Sequence, residues 1–201
     1  MNTLEKLKKE REEKLEKLRE NPIEAMLVGE VPLITDYKRG KELYLIAFFG
    51  NPMGVRKPKL DIEYRVPYIL SYYEALYLLE KGALTFKNID RNKAIEKLWE
   101  IAKSKIEDFE YKYIVYKDLR ERGYVVRPGM KFGSDFAVYI YGPGIDHAPF
   151  LVTVFSKNQR LTGIDLIRAG RLANSVRKQW VIASVEGDGL IRYYVFSWFK
   201  L

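Results

Sequence analysis

Three kinds of side chain able to act on a phosphate ester are grouped in the second half of the chain. The stretch DFAVYIYGPGIDHAPFLV, residues 135–152, contains His147, the one histidine among 201 residues. A Gly-Pro-Gly turn precedes it and separates two runs that alternate like strands. Because alternate residues of a strand share a face, Tyr139 and Tyr141 are predicted to lie opposite the apolar Phe136. The phenol groups are therefore expected just before the turn that carries the imidazole.

A predicted helix over residues 163–178 adds cations to this set. Thr162 is available as its cap. Arg171 and Lys178 are about two helical turns apart, so they share one helix face. The sequence thus combines a phenol, an imidazole and a row of cations, all near the ends of strands or of a helix.

Such a set fits the cleavage of RNA through its own 2′-hydroxyl group. That reaction needs a group to accept the 2′-OH proton, a group to protonate the departing 5′-oxygen, and a cation for the phosphorane. Histidine, with an unperturbed pKa near 6.5, can donate at neutral pH, and lysine supplies positive charge. Tyrosine, with a reference pKa of about 10, needs an adjacent cation to act as a base, or it orients the substrate. The residues alone leave open a structural role for His147 and simple packing for the tyrosines.

Composition narrows the class of protein. The net charge of +8 and the pI of about 9.4 favour a polyanionic partner, and they equally fit a charge-rich surface of the thermophilic kind. The absence of cysteine excludes disulfides and thiolate metal sites. We find no signal peptide and no apolar run near the ~20 residues of a membrane span. A cytoplasmic protein without membrane contact is expected.

The elements that must position these groups divide the chain into three predicted parts. Residues 1–24 form a charged helix with a leucine stripe, ended by Asn21-Pro22. Residues 25–104 form a structural domain, with strand-like runs at 43–49 and 61–66 and a helix from Ser71 to Gly82, with Glu74 at its third position. A break in a helical pattern near residues 103–106 marks the boundary to the third part, residues 105–201.

The third part is predicted to be a mixed α/β domain with a central sheet. One helix, at 163–178, interrupts a series of short strands. These strands are predicted at 124–127, 135–141, 150–155, 180–185 and 190–199.

Several motifs of this domain resemble the catalytic domain of the archaeal and eukaryotic tRNA-splicing endonucleases. KFG-x-DF-x-x-Y is followed eight residues after the tyrosine by the histidine, then by RLA-x-SVRK, an apolar strand, an acidic turn and YY. The similarity spans about residues 113–201. LYLIAFFGNP and LSYYEALYLLEKGAL are similar to the family's N-terminal domain.

The resemblance implies an α/β (α+β) fold in two domains. The first would carry helices on a small antiparallel sheet. The second would be restriction-endonuclease-like, with a central mixed sheet flanked by helices. It also implies a catalytic triad: Tyr139 as general base on the 2′-OH, His147 as general acid to the 5′-oxygen, and Lys178 as stabiliser of the transition state. The products would be a 2′,3′-cyclic phosphate and a 5′-hydroxyl, without metal or cofactor.

The resemblance further implies how precursor tRNA would be held. The family clamps a flipped bulge base between two arginines, which fall on Arg171 and Arg192. It measures a bulge–helix–bulge with two active sites, so a homo-oligomer or a heterotetramer with a structural subunit is implied. Glu186 and Asp188 would form an acidic docking loop, and the last strand would pair across the interface. An ordinary polar hairpin turn remains the alternative for the loop.

Two other functions are the alternatives to this one. A non-catalytic structural or RNA-binding subunit should have lost one of Tyr139, His147 and Lys178, and this chain keeps all three. A metal-dependent nuclease of the related architecture needs clustered carboxylates, commonly Glu-x-Lys on a strand. Here Glu110 and Lys112 fall in a helical pattern instead, which argues against that chemistry.

Overall fold

A computed structural model of the chain describes residues 2–156, 159–167, 170 and 178–196. The chain divides into two compact units, Met1–Glu107 and Asp108–Leu201. Each unit is described by itself.

The first unit combines four helices with a five-stranded sheet. Its elements are α1 (Thr3–Leu18), β1 (Ile23–Val28), β2 (Val31–Ile34), α2 (Tyr37–Ala47), β3 (Asn51–Pro52), β4 (Tyr68–Ile69), α3 (Tyr72–Lys81), β5 (Leu84–Phe86) and α4 (Arg91–Lys105). The strand order is β3-β4-β2-β1-β5. β1 pairs in parallel with β5, and the other pairs are antiparallel. The sheet is therefore mixed rather than purely antiparallel.

Two predicted strands of this unit are wrong. Residues 43–49 lie mostly in α2, where Leu43, Tyr44 and Ala47 are buried together at helical spacing. Asp36 caps this helix by accepting hydrogen bonds from the N–H groups of its first turn. Residues 61–66 form no strand. The sheet is built instead from β3, β4, β5 and the hairpin of β1 and β2, and this hairpin was not predicted.

The predicted helix ends of the first unit are confirmed. Ser71 and Glu74 form a capping box at the start of α3, and Gly82 ends the helix in a left-handed conformation. The break expected near residues 103–106 is also present, because α4 ends at Lys105 and the next residue, Ile106, is extended.

Gly40 tests how tightly α2 packs on the sheet. A Cβ at this position would lie 2.5 Å from Cδ2 of the buried Tyr68 ring. We expect Gly40→Ala to lower the free energy of unfolding by about 1–3 kcal/mol, although alanine favours a helix by about 1 kcal/mol over glycine. Urea unfolding measures the change. Gly163→Ala is the matched control, because a Cβ there meets no described atom within 4 Å; equal stability of the two variants would contradict the prediction.

The described residues of the second unit include one sheet, a helix packed on it and part of a further helix. Its elements are α5 (Phe109–Glu121), β6 (Val125–Pro128), a 3-10 turn (Met130–Phe132), β7 (Phe136–Tyr139), β8 (Phe150–Ser156), β9 (Gln179–Val185) and β10 (Ile191–Phe196). The strand order is β10-β9-β8-β7-β6, with β8 and β9 parallel and the other pairs antiparallel. The ring of Tyr116 on α5 contacts that of Phe136 on β7, with centroids 5.9 Å apart.

All five predicted strands of this unit are confirmed, with shifted ends. Residues 163–167 and 170 are helical, and Thr162 Oγ1 accepts a hydrogen bond from Asp165 N, as a cap does. The rest of the predicted helix, apart from Lys178, and residues 197–199 lie outside the described residues. Glu110 and Lys112 lie on α5, as their helical pattern predicted.

Candidate active site

Tyr139 is the last residue of β7, at the point where the strand enters the loop to β8. Side chains pack on both faces of this strand, so the face that carries Ala137 and Tyr139 is covered rather than open to solvent. Ala137, Ala148 and Leu151 form a buried cluster there, and Phe132 and Tyr139 pack against it. Tyr139 is therefore half-buried, while Tyr141 is exposed.

The loop from residue 140 to residue 149 folds around the carboxylate of Asp146. Asp146 Oδ2 accepts hydrogen bonds from the N–H groups of Ile140 and Tyr141, both at 3.1 Å, and Oδ1 accepts one from Gly142 at 2.7 Å. Gly142 has φ 141°, a conformation that glycine adopts readily and other residues rarely do. The Gly-Pro-Gly turn expected from the sequence is thus part of a loop that is held closed by hydrogen bonds from backbone N–H groups to the side chain of Asp146.

His147 follows Asp146 directly, and its side chain is exposed. Within the described part of the chain, the imidazole has no hydrogen-bond partner. The next residue, Ala148, is buried. The imidazole is therefore carried by anchored backbone and is free to meet a substrate.

Lys178 directly precedes β9 and reaches the same loop. Its Nζ donates a hydrogen bond to the carbonyl oxygen of Ala148 at 2.7 Å. The same ammonium lies 5.6 Å from the ring centroid of Phe132, within cation–π range. The backbone is fixed as well, because Gln179 N donates to Pro149 O at 2.9 Å. The cation is therefore bonded to the residue that follows His147, and it shares Phe132 with the cluster that Tyr139 packs on.

The electrostatics of the site act in opposite directions on its phenol and its ammonium. Burial raises the pKa of Tyr139; Arg127 lowers it and Asp146 raises it further. Burial lowers the pKa of Lys178, and Asp146 opposes that change. Arg127 is the adjacent cation that a tyrosine needs to act as a base, but burial raises the pKa of Tyr139 more than Arg127 lowers it. Asp146 acts on both groups.

The phenol, the imidazole and the cation thus lie on or next to one loop, and these are the types of group that could act on a phosphodiester. Tyr139 and Phe132 pack on the same buried cluster, Lys178 Nζ lies near the Phe132 ring, and Lys178 is bonded to the loop of His147. Sequence reasoning missed Phe132 and Asp146. Their positions could have suggested them, because Phe132 lies in the KFG motif and Asp146 directly precedes the histidine.

The structure describes one of the two arginines predicted to clamp a base. Arg171 lies outside the described residues. Arg192 is on β10, exposed, and its Nε lies 2.8 Å from Glu186 Oε1. An exposed pair of this kind contributes about 0–1 kcal/mol, so it holds the guanidinium only weakly.

The predicted docking loop connects β9 to β10 as a tight hairpin. Glu186 N donates to Leu190 O at 2.9 Å, and Asp188 Oδ1 accepts a hydrogen bond from Leu190 N at 3.0 Å. Both carboxylates thus have partners within the hairpin, counting the pair of Glu186 with Arg192. On β10, the large side chains of Tyr194, Val195 and Phe196 are exposed.

The described residues lack two further features. Among the described residues, no three His, Cys, Asp or Glu side chains are grouped so that they could hold a metal ion. None of the described helices is both long and apolar enough to cross a membrane.

Comparison with known proteins gives matches over both units. Residues 23–99 match the family described as tRNA intron endonuclease, N-terminal domain, and residues 109–193 match tRNA intron endonuclease, catalytic C-terminal domain. α1 precedes the first match.

Similar full-length proteins are called tRNA-splicing endonuclease. That of Sulfurisphaera tokodaii is 39% identical over 176 residues, which are 87% of this chain and 98% of the relative. That of Saccharolobus solfataricus is 39% identical over 184 residues, 89% of this chain and 100% of the relative. That of Hyperthermus butylicus is 40% identical over 180 residues, 89% of this chain and 99% of the relative.

Proposed function

The chain belongs to the tRNA intron endonuclease family and is an enzyme of tRNA splicing, and we propose that it cleaves precursor tRNA at bulge–helix–bulge sites without a metal ion. The observation that carries the proposal is the position of Lys178 Nζ. It is bonded to the carbonyl oxygen of Ala148, the residue after His147, and it lies over Phe132, which packs on the same buried cluster as Tyr139.

The proposed reaction is an attack of the 2′-oxygen on the adjacent phosphorus. The phenol of Tyr139 accepts or orients the proton of the 2′-hydroxyl as the new P–O bond forms. The bond from phosphorus to the 5′-oxygen breaks, and His147 gives that oxygen a proton. The products are a 2′,3′-cyclic phosphate and a 5′-hydroxyl. No oxidant, nucleotide or cofactor takes part.

Lys178 is proposed to stabilise the charge that grows on the phosphate oxygens. A fixed cation in a partly buried site stabilises negative charge more than a cation in water does. It also does not have to reorganise during the reaction. Tyr139 is the weaker member as a base, since burial raises its pKa. The buried cluster of Ala137, Ala148 and Leu151 orients the Tyr139 ring, which compensates in part for the raised pKa. A hydrogen bond between the oriented phenol and the 2′-hydroxyl brings the attacking oxygen to the phosphorus.

Arg171 and Arg192 are proposed to hold an unpaired bulge base by stacking. A guanidinium plane on an exposed base face suits single-stranded RNA. The exposure of Arg192 and its weak pair with Glu186 support its availability. The net charge of +8 supports a polyanionic substrate. We propose that the enzyme acts in the cytoplasm. A chain without cysteine forms no disulfides, so it does not depend on an oxidising compartment.

The experiment that tests the proposed function uses a bulge–helix–bulge RNA in excess EDTA. We expect cleavage at both bulges, with new 5′ ends that polynucleotide kinase labels directly and new 3′ ends that are blocked as cyclic phosphates. A fully paired RNA of the same sequence is the control. Cleavage that returns only with Mg²⁺ would identify a metal enzyme. Failure to cleave, even with candidate partner subunits, would identify a structural subunit.

Assembly is proposed to complete the enzyme, as a homo-oligomer or as a heterotetramer with a structural subunit. Two active sites are needed to measure two bulges. The exposed apolar side chains at the end of β10 support a strand-to-strand interface there. Glu186 and Asp188 are proposed to dock into a basic pocket of a partner.

Charge reversal tests the docking loop. We expect Glu186→Lys with Asp188→Lys to lower the mass in solution, measured by light scattering, because like charges would meet in the basic pocket. The matched control is Asp61→Lys with Glu63→Lys, which makes the same change of charge on an exposed loop of the first unit. An unchanged mass of the first variant would remove the loop from the interface.

A further inference from the structure

Asp146 lies in the loop that joins Tyr139 to His147, and the proposed reaction gives it no role. Its carboxylate accepts hydrogen bonds from the N–H groups of Ile140, Tyr141 and Gly142, at 3.1, 3.1 and 2.7 Å. Ile140 follows Tyr139, and Asp146 precedes His147. The bonds therefore join the residue after the phenol to the residue before the imidazole.

We infer that Asp146 is a positioning residue for RNA cleavage, which closes the loop between Tyr139 and His147 and sets a negative charge against Lys178. This inference rests on the proposed function. It assigns to Asp146 no contact with the substrate and no transfer of a proton.

The geometric part of the inference rests on the bonds within the loop. Hydrogen bonds from N–H groups to a carboxylate are shorter and about twice as strong as neutral ones. Here three of them converge on one half-buried side chain and fix the start of a loop whose other end is bonded to Lys178 through Ala148. A displacement of about 1 Å in a catalytic group can lower a rate by about 10²-fold. Loosening this loop should therefore lower the rate more than it lowers RNA binding.

The electrostatic part concerns the protonation of Lys178. Burial lowers the pKa of this lysine, and the charge of Asp146 raises it, so Asp146 keeps the ammonium protonated at higher pH. Asp146 raises the pKa of Tyr139 as well, where Arg127 acts in the opposite sense. Among the described residues, His147 and Lys131 are further charged or titratable groups beside the site, and Lys131 Nζ lies 5.9 Å from the centroid of the Phe132 ring.

The test is Asp146→Asn, which keeps the shape of the side chain and removes its charge. We expect the single-turnover cleavage rate at neutral pH to fall about 10- to 100-fold. The dissociation constant for an RNA with a 2′-deoxy nucleotide at each cleavage site should change by less than about twofold, since no substrate contact is lost. On an RNA with sulfur in place of the 5′-oxygen, which needs no proton from His147, the alkaline fall of the rate should move to lower pH, because Lys178 loses its proton earlier.

Asp135→Asn is the matched control. Asp135 also accepts a backbone hydrogen bond, from Val154 N at 2.8 Å, and its other oxygen lies 3.1 Å from Lys112 Nζ. It is at the opposite end of β7 from Tyr139. We expect this variant to lower the melting temperature and to leave the pH dependence of cleavage unchanged.

The outcomes separate the inference from the proposed function. Asp146→Asn with the rate and pH profile of the unchanged chain overturns the inference alone. If the unchanged chain does not cleave in EDTA, the proposed function fails first. Asp146→Glu, which keeps the charge, provides the second variant if Asp146→Asn does not fold. For Asp146→Glu, a lower rate with an alkaline fall at the same pH as in the unchanged chain supports the positioning role. An unchanged rate of this variant overturns that role.

Discussion

Replacing His147 with alanine is expected to slow single-turnover cleavage of a bulge–helix–bulge RNA by roughly 10²- to 10⁴-fold, the range of general acid–base help. The side chain is exposed and makes no hydrogen bond within the described residues, so its removal should not unfold the loop. Affinity for uncleavable RNA should remain nearly unchanged. Ile145→Ala, at another exposed position of the same loop, is the control and should cleave normally.

A substrate with sulfur in place of the 5′-oxygen makes this prediction specific to the acid role. A thiolate leaves without a proton, so the missing imidazole should matter little for that substrate. We expect His147→Ala to cleave it at nearly the rate of the unchanged protein. An equally large defect on the sulfur substrate would show that His147 does not act on the leaving group, and lost affinity with an unchanged rate would make it a binding residue.

The sheet of the second unit could be predicted from sequence because its strands carry strong local patterns. Phe136, Val138 and Val152 belong to short apolar runs bounded by glycine, proline or charged residues, and each run became a strand. In the first unit, the run LYLIAFF has the composition of a strand but lies mostly in a helix. The cap at Asp36 and the burial of Leu43 and Ala47 on one helix face decided the outcome.

The candidate site divides in the same way. Motif order indicated Tyr139, His147 and Lys178 as residue types at given positions. The roles of Phe132 and Asp146 depend on tertiary contacts, in which Phe132 meets a lysine 46 residues later and Asp146 meets backbone N–H groups. No periodicity encodes such contacts, because they arise only when β7, its loop and the start of β9 are brought together by the parallel pairing of β8 with β9.

Lys178→Gln is expected to lower the single-turnover rate by roughly 10²- to 10³-fold, the usual loss when one preorganised donor to a developing charge is removed. Glutamine can still donate a hydrogen bond to Ala148 O, so the fold of the loop should survive. The missing positive charge accounts for the loss. Thermal unfolding checks the fold, and the expected melting temperature is that of the unchanged chain within a few degrees.

Lys178→Arg distinguishes charge from shape through the pH dependence of the rate. Burial lowers the pKa of Lys178, so the ammonium is present below that pKa and is lost as pH rises through it. On the substrate with sulfur in place of the 5′-oxygen, which needs no proton from His147, the rate of the unchanged protein should therefore fall at alkaline pH, below the ordinary range for lysine. Arginine stays protonated throughout, so the variant should lose this fall while cleaving more slowly at neutral pH, since its planar group does not fit the position of an ammonium. On the sulfur substrate, an alkaline fall that persists unchanged with arginine would contradict the assignment of Lys178 as the cation of the reaction.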